Sequence, residues 1–144
     1  MTWLQLINYA KKHYGLKKII WVKDKNLKVT ATCDYRAGIV KLNYYRINSR
    51  NRYTTLFHEL GHIYCYKQGL WKKYHIDLEE WKNTKKAIDG IVKTGFKAEK
   101  WVDMWGMNEM KKHYPRKKYH AIYHVPNVKK YYHKYYINPL KECL

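Results

Sequence analysis

His58-Glu59-Leu60-Gly61-His62 carries the residues of this chain best suited to chemistry. Two histidines four positions apart lie one turn apart on the same face of an α-helix, so both rings can reach one cation. A carboxylate next to the first of them, Glu59, is placed to take a proton from a water on that cation. The reaction such a group performs is hydrolysis, above all of a peptide bond. With 8 His and 6 Glu in 144 residues, chance supplies the pattern in about 2% of chains of this composition.

Two histidines do not hold a catalytic metal; a third protein ligand and an open position are needed. A metzincin-type continuation would need glycine at position 65 and histidine at 68, where Cys65 and Gln68 stand. A later histidine could serve, with His75, His113 and His120 available. Glu99 is the better candidate. Positions 96 to 112 predict a helix on which Glu99, Val102, Asp103, Gly106 and Met110 form one stripe. Two acids on an interior stripe need partners or a metal. Glu99 as a ligand and Asp103 as acceptor for the second N–H of a ligating histidine would satisfy both.

The elements that must position these groups are also legible. Positions 51 to 67 predict one helix, with Leu56, Leu60, Ile63 and Tyr64 on its core-facing stripe. Ser49 and Asn51 are candidate N-caps, and Gln68-Gly69 supplies a stop. Gly61 costs such a helix about 1 kcal/mol against Ala, so a glycine between the two histidines predicts close approach of another element.

The first motif followed some tens of residues later by Glu99-Lys100-Trp101-Val102-Asp103-Met104-Trp105-Gly106 resembles the gluzincins, and more narrowly the ImmA/IrrE-type metallopeptidases. Their second motif runs roughly E-x-x-A-[DN]-x-F-A. Here Val102, Trp105 and Gly106 depart from it in identity, and the likeness covers about positions 37 to 110. The resemblance implies a small zincin-like fold and a Zn2+ ion held by His58, His62 and Glu99, with Glu59 as general base. It also implies a protein substrate, typically a repressor, in a phage or mobile-element setting. An oxyanion donor would come from elsewhere, with Tyr119, His120, Tyr123 and His124 as candidates among 16 Tyr and 8 His.

Positions 37 to 45 predict a strand just before the metal-site helix. In folds of the resembling type a strand there lines the cleft as a sheet edge, where extended substrate can add by main-chain hydrogen bonds. Asn43 would then offer its side chain to substrate, although an ordinary edge strand guarded by Lys41 and Arg46 fits the same residues.

The remaining chain reads as one α+β domain, a small antiparallel or mixed sheet beside helices. Positions 2 to 14 predict an amphipathic helix capped by Thr2, with Trp3, Leu6, Ile7, Ala10 and Tyr14 inward and Gly15 as its stop. Positions 19 to 22 and 27 to 33 predict two strands around a turn at Asp24 to Asn26. A connecting helix is expected over 78 to 92 with Asp77 as its cap, and a tail helix near 127 to 137.

Three cysteines without a C-x-x-C pair, no signal-peptide pattern and no membrane-length apolar run predict a reducing, cytoplasmic setting with no membrane partner. Cys65 reads as a small buried helical residue rather than a ligand. One serine, Ser49, leaves no triad chemistry.

The net charge of +19 exceeds what solubility needs and peaks in a basic, Tyr- and His-rich C-terminal region from about 111 to 144. Cations interleaved with aromatics over 111–120 and 129–136 suit nucleic acid, or an acidic protein partner. Lys, Tyr, Asn and Ile are abundant together throughout, as an AT-rich coding sequence would also produce. A second function therefore stands beside the peptidase: a basic binding module on the same fold with little or no proteolysis. A purely structural metal site is disfavoured by Glu59 and by the lack of a fourth Cys or His at short spacing. Oligomeric state is not encoded in any of these features.

Overall fold

The structure, a computed structural model, describes residues 1–69 and 84–120. Among these the chain is α+β: three helices and a three-stranded mixed sheet. Helix α1 spans Trp3–His13, strands β1, β2 and β3 span Lys18–Val22, Ala31–Asp34 and Ile39–Asn43, and helix α2 spans Arg52–Lys67. Helix α3 spans Thr84–His113. No described helix is long and apolar enough to cross a membrane.

Helix α1 starts where the sequence places it. The Thr2 hydroxyl accepts from the Gln5 N–H at 3.2 Å, and the Gln5 side chain accepts from the Thr2 N–H at 2.7 Å. Leu6, Ala10 and Tyr14 are buried on its inner face, and Gly15 turns the chain at φ +86°.

The sheet is built differently from the expected hairpin around residues 24–26. Its order is β1-β3-β2, with β1 parallel to β3 and β2 antiparallel to β3. The hairpin lies instead between β2 and β3. There the Asp34 side chain accepts from the Ala37 N–H at 3.1 Å, and Gly38 takes φ +72°. Residues 27–30 are not strand, because one side chain takes the carbonyls a ladder would use. The Asn43 amide donates to the carbonyls of Asp24, Leu27 and Val29 at 3.1–3.3 Å. The Arg46 guanidinium adds a bond to Leu27 O at 2.7 Å.

This arrangement corrects two further expectations. β3 is the central strand and not an edge, so both of its backbone sides are used and no peptide can pair with it. β2 is the edge strand that packs on α2. Asn43, expected to face substrate, is 2% exposed and saturated by the loop it holds, with its carbonyl oxygen accepting from the Tyr45 N–H at 3.2 Å. Its role is structural.

Val40 and Leu42 point from β3 into the core and alternate with exposed Lys41. They meet Leu56, Leu60 and Ile63 of α2, all fully buried, as the stripe predicts. Asn51 stands at the α2 N-cap position, but its side chain accepts from the Asn48 N–H instead of capping the helix. The helix stops at Gly69, φ +73°.

Helix α3 also departs from expectation. Separate helices over 78–92 and 96–112 appear as one continuous helix from residue 84 to 113. The junction Lys93-Thr94-Gly95 contains no proline, and a lone glycine costs about 1 kcal/mol, too little to break a helix anchored by packing on α2. Residues 78–83 with Asp77, the tail helix over 127–137 and the basic run over 129–136 lie outside the described residues.

Candidate metal centre

The site forms where α2 and α3 cross, and small residues on both helices permit the crossing. A Cβ on Gly61 would stand 2.9 Å from Val102 Cβ and 3.3 Å from the Trp105 ring. A Cβ on Gly106 would stand 2.9 Å from the Tyr119 hydroxyl and 3.2 Å from Phe57 O. The close approach signalled by Gly61 is therefore that of α3. Gly106 does the same from the opposite helix, a role its place on the 99–110 stripe does not disclose.

The crossing brings Glu99 to both histidines. His58 Nε2 lies 3.0 Å from Glu99 Oε2, and His62 Nε2 lies 3.5 Å from Glu99 Oε1. The two imidazole rings stand 5.1 Å apart. One ligand atom from each of the three residues falls within 4.8 Å of the others. A tetrahedral ion with bonds of roughly 2.1 Å needs donor atoms about 3.4 Å apart, so two nitrogens and a carboxylate oxygen at these separations could hold a metal ion. The side chains of His62 and Glu99 are 12% and 22% exposed, which leaves an approach to that point, whereas His58 is buried.

Asp103, one turn after Glu99, reaches the opposite side of His58. Its Oδ1 lies 2.9 Å from His58 Nδ1, so α3 holds that ring between two acids, one on each nitrogen. A carboxylate on Nδ1 fixes the tautomer that leaves Nε2 for a metal. The same Oδ1 accepts the Tyr119 hydroxyl at 2.7 Å. Tyr119 thus supports Asp103, and its pKa is driven up by burial and by the Asp103 charge. Nothing in the sequence singles Tyr119 out among 16 tyrosines for this contact.

Electrostatics of the cluster follow from burial and charge. Burial alone would lower the His58 pKa, but hydrogen bonds to Asp103 and Glu99 and nearby carboxylate charge push it up to about 10. Burial would raise that of Glu99, yet the His62 and His58 charges and the His58 hydrogen bond hold it below the ordinary carboxylate value. Glu59 moves the other way. Burial pushes it up to about 7, partly offset by His58 and reinforced by Glu99. A carboxyl group titrating near neutrality can both accept and return a proton.

The alternative ligands fall elsewhere. His113 sits at the end of α3, its Nε2 3.3 Å from the Tyr14 hydroxyl and its ring 4.6 Å from that of Tyr9. His120 is exposed, and its backbone N–H donates to Thr54 Oγ1 at 3.3 Å. Cys65 is a buried helical thiol whose pKa burial raises to about 11, outside the three-residue group. His75, Tyr123 and His124 lie outside the described residues.

Compared with protein-family models, curated protein sequences and solved structures, the chain gives no match. The functional reading therefore rests on this site.

Proposed function

We propose that this chain is a zinc-dependent metalloendopeptidase of the ImmA/IrrE type, acting in the cytoplasm on a specific protein such as a transcriptional repressor. The observation that carries the reading is Glu99. A carboxylate 41 positions beyond His58 stands within 3.0 Å and 3.5 Å of the two histidines of the first motif. Two imidazoles and one carboxylate suit zinc and leave a fourth position for water or substrate. Bound there, zinc would supply Lewis acidity towards the scissile carbonyl and lower the pKa of its water towards 7.

The other steps belong to the chain's own residues. Among the described residues no hydrogen bond holds the Glu59 carboxylate. It takes the proton of the attacking water and delivers it to the leaving amine, and its pKa near 7 suits both transfers. Asp103 keeps the His58 ring in the tautomer and orientation a ligand needs. Among the described residues β2 pairs on one side alone, with β3, and its other side offers main-chain groups to an extended substrate. Cys33 on that strand feels the charge of Glu59, which supports its nearness to the reacting groups.

The deciding experiment is Glu59→Gln. The variant should keep close to one metal ion per chain and fold normally, yet cleave no member of a peptide library that the wild-type protein cuts, read by mass spectrometry. Undiminished biological activity in that variant would favour the non-proteolytic binding module.

A further inference from the structure

Away from the metal centre, one end of the sheet gathers exposed aromatic rings and cations. Trp21, one residue before the end of β1, is 46% exposed; Tyr44 and Tyr45, just beyond β3, are 55% and 48% exposed. Burial of such rings is ordinarily favourable, so three together in water mark a surface that meets a partner. The Tyr44 N–H donates to Val22 O at 2.8 Å, extending the β1–β3 ladder and setting Tyr44 beside the residue after β1, Lys23. The Lys23 ammonium stands 5.1 Å from the Tyr44 ring centre and that of Lys25 5.2 Å from the Tyr45 ring centre. The two rings are 5.5 Å apart at 83°.

Charge identifies the partner's sign. Lys23 and Lys25 stand over the two tyrosine rings and exposed Arg46 follows Tyr45, while the one acid in the loop over 23–30 is Asp24, whose carboxylate accepts from the Asn26 N–H at 2.9 Å. The loop that carries the lysines is held in one shape by the Asn43 amide and by Arg46, so little ordering would be needed on binding.

We propose that this surface, formed by Trp21, Lys23, Lys25, Tyr44, Tyr45 and Arg46, binds single-stranded nucleic acid. Flat bases stack on the exposed rings and the phosphates between them meet the lysines and Arg46. A single strand presents base faces, whereas a duplex keeps them inside its own stack, and an acidic peptide offers charge without a planar partner. The surface shares no residue with the metal centre and its function does not depend on the peptidase reading.

The test is anisotropy titration of a fluorescein-labelled 15-nucleotide oligo-dT across salt concentrations. The wild-type protein should bind it at least ten-fold more tightly than a duplex or an abasic strand of the same length. Tyr44→Leu/Tyr45→Leu should weaken binding about ten- to a hundred-fold with the salt slope unchanged. Lys23→Ala/Lys25→Ala should flatten that slope by roughly 1.4, about 0.7 for each phosphate no longer neutralised. Glu59→Gln should bind like the wild-type protein, which separates this result from any result on proteolysis. Equal binding of the abasic strand, or displacement of oligo-dT by polyglutamate at equal charge, would overturn the proposal in favour of an acidic protein partner. Wild-type affinity in the folded double tyrosine variant would overturn it too.

Discussion

Gly61 of α2 lies flush against Val102 of α3, with room for a hydrogen but not a methyl group. In an exposed helix, Gly→Ala stabilises by about 1 kcal/mol. Here the added Cβ would come within 2.9 Å of Val102 Cβ and 3.2 Å of Val102 O, so the helices must part. Gly61→Ala should therefore destabilise the protein by about 1–3 kcal/mol in urea unfolding. It should also weaken metal binding at least ten-fold in chelator competition, since Glu99 rides on the displaced helix. A stabilised variant with wild-type metal affinity would contradict the crossing described above.

Metal content should depend on residues from both helices. His58→Ala, His62→Ala and Glu99→Ala should each lose most of the metal found in the wild-type protein by elemental analysis. His113→Ala should keep it, because that ring packs with Tyr9 and Tyr14.

Metal uptake should release protons. In the metal-free protein carboxylates hold the His58 pKa up to about 10, so near pH 7 a metal ion must displace a proton from that ring. The sign is fixed by competition: below about pH 10 each unit of acidification should weaken apparent affinity roughly ten-fold for each proton displaced. Calorimetry in buffers of different ionisation enthalpy counts those protons. A pH-independent affinity between 6 and 8 would exclude a protonated His58 in the metal-free state.

Asp103 and Tyr119 should separate by readout. Asp103→Asn replaces a pure acceptor with a group that can present N–H to His58, and should cost about 10–100-fold in metal affinity. Tyr119→Phe keeps the ring and leaves the Asp103 carboxylate one donor short. It should destabilise the fold by about 1–3 kcal/mol, measured by thermal or urea unfolding.

Asn43→Ala should act on stability alone. Leu27 O keeps its bond from Arg46, but the carbonyls of Asp24 and Val29 lose their side-chain donor, at about 1 kcal/mol each when left unpaired, and the loop over 24–30 loosens. Metal content should remain that of the wild-type protein, as Asn43 stands apart from the centre.

Much of this molecule is written in local periodicity. The capping box at Thr2, the α2 stripe of Leu56, Leu60 and Ile63, and the inward face of α1 each depend on residues within a few positions of one another. The pairing of Glu99 and Asp103 on one helical face is of the same kind, and so is that of His58 and His62. Any helix at those positions must carry them together. What remained hidden was long-range. The insertion of β3 between β1 and β2 depends on a tight turn at 34–38 and on Asn43 drawing off the carbonyls of residues 24–29. The contact of Tyr119 with Asp103 depends on where the chain returns after α3.

The order of residues alone thus determined which groups share a helical face and which faces are apolar, because side-chain direction repeats every 3.6 residues whatever surrounds the helix. Only the tertiary structure decided that the two faces bearing His58 and Glu99 meet. That depends on how closely two helices can approach, through Gly61 and Gly106, and on no property of either helix by itself.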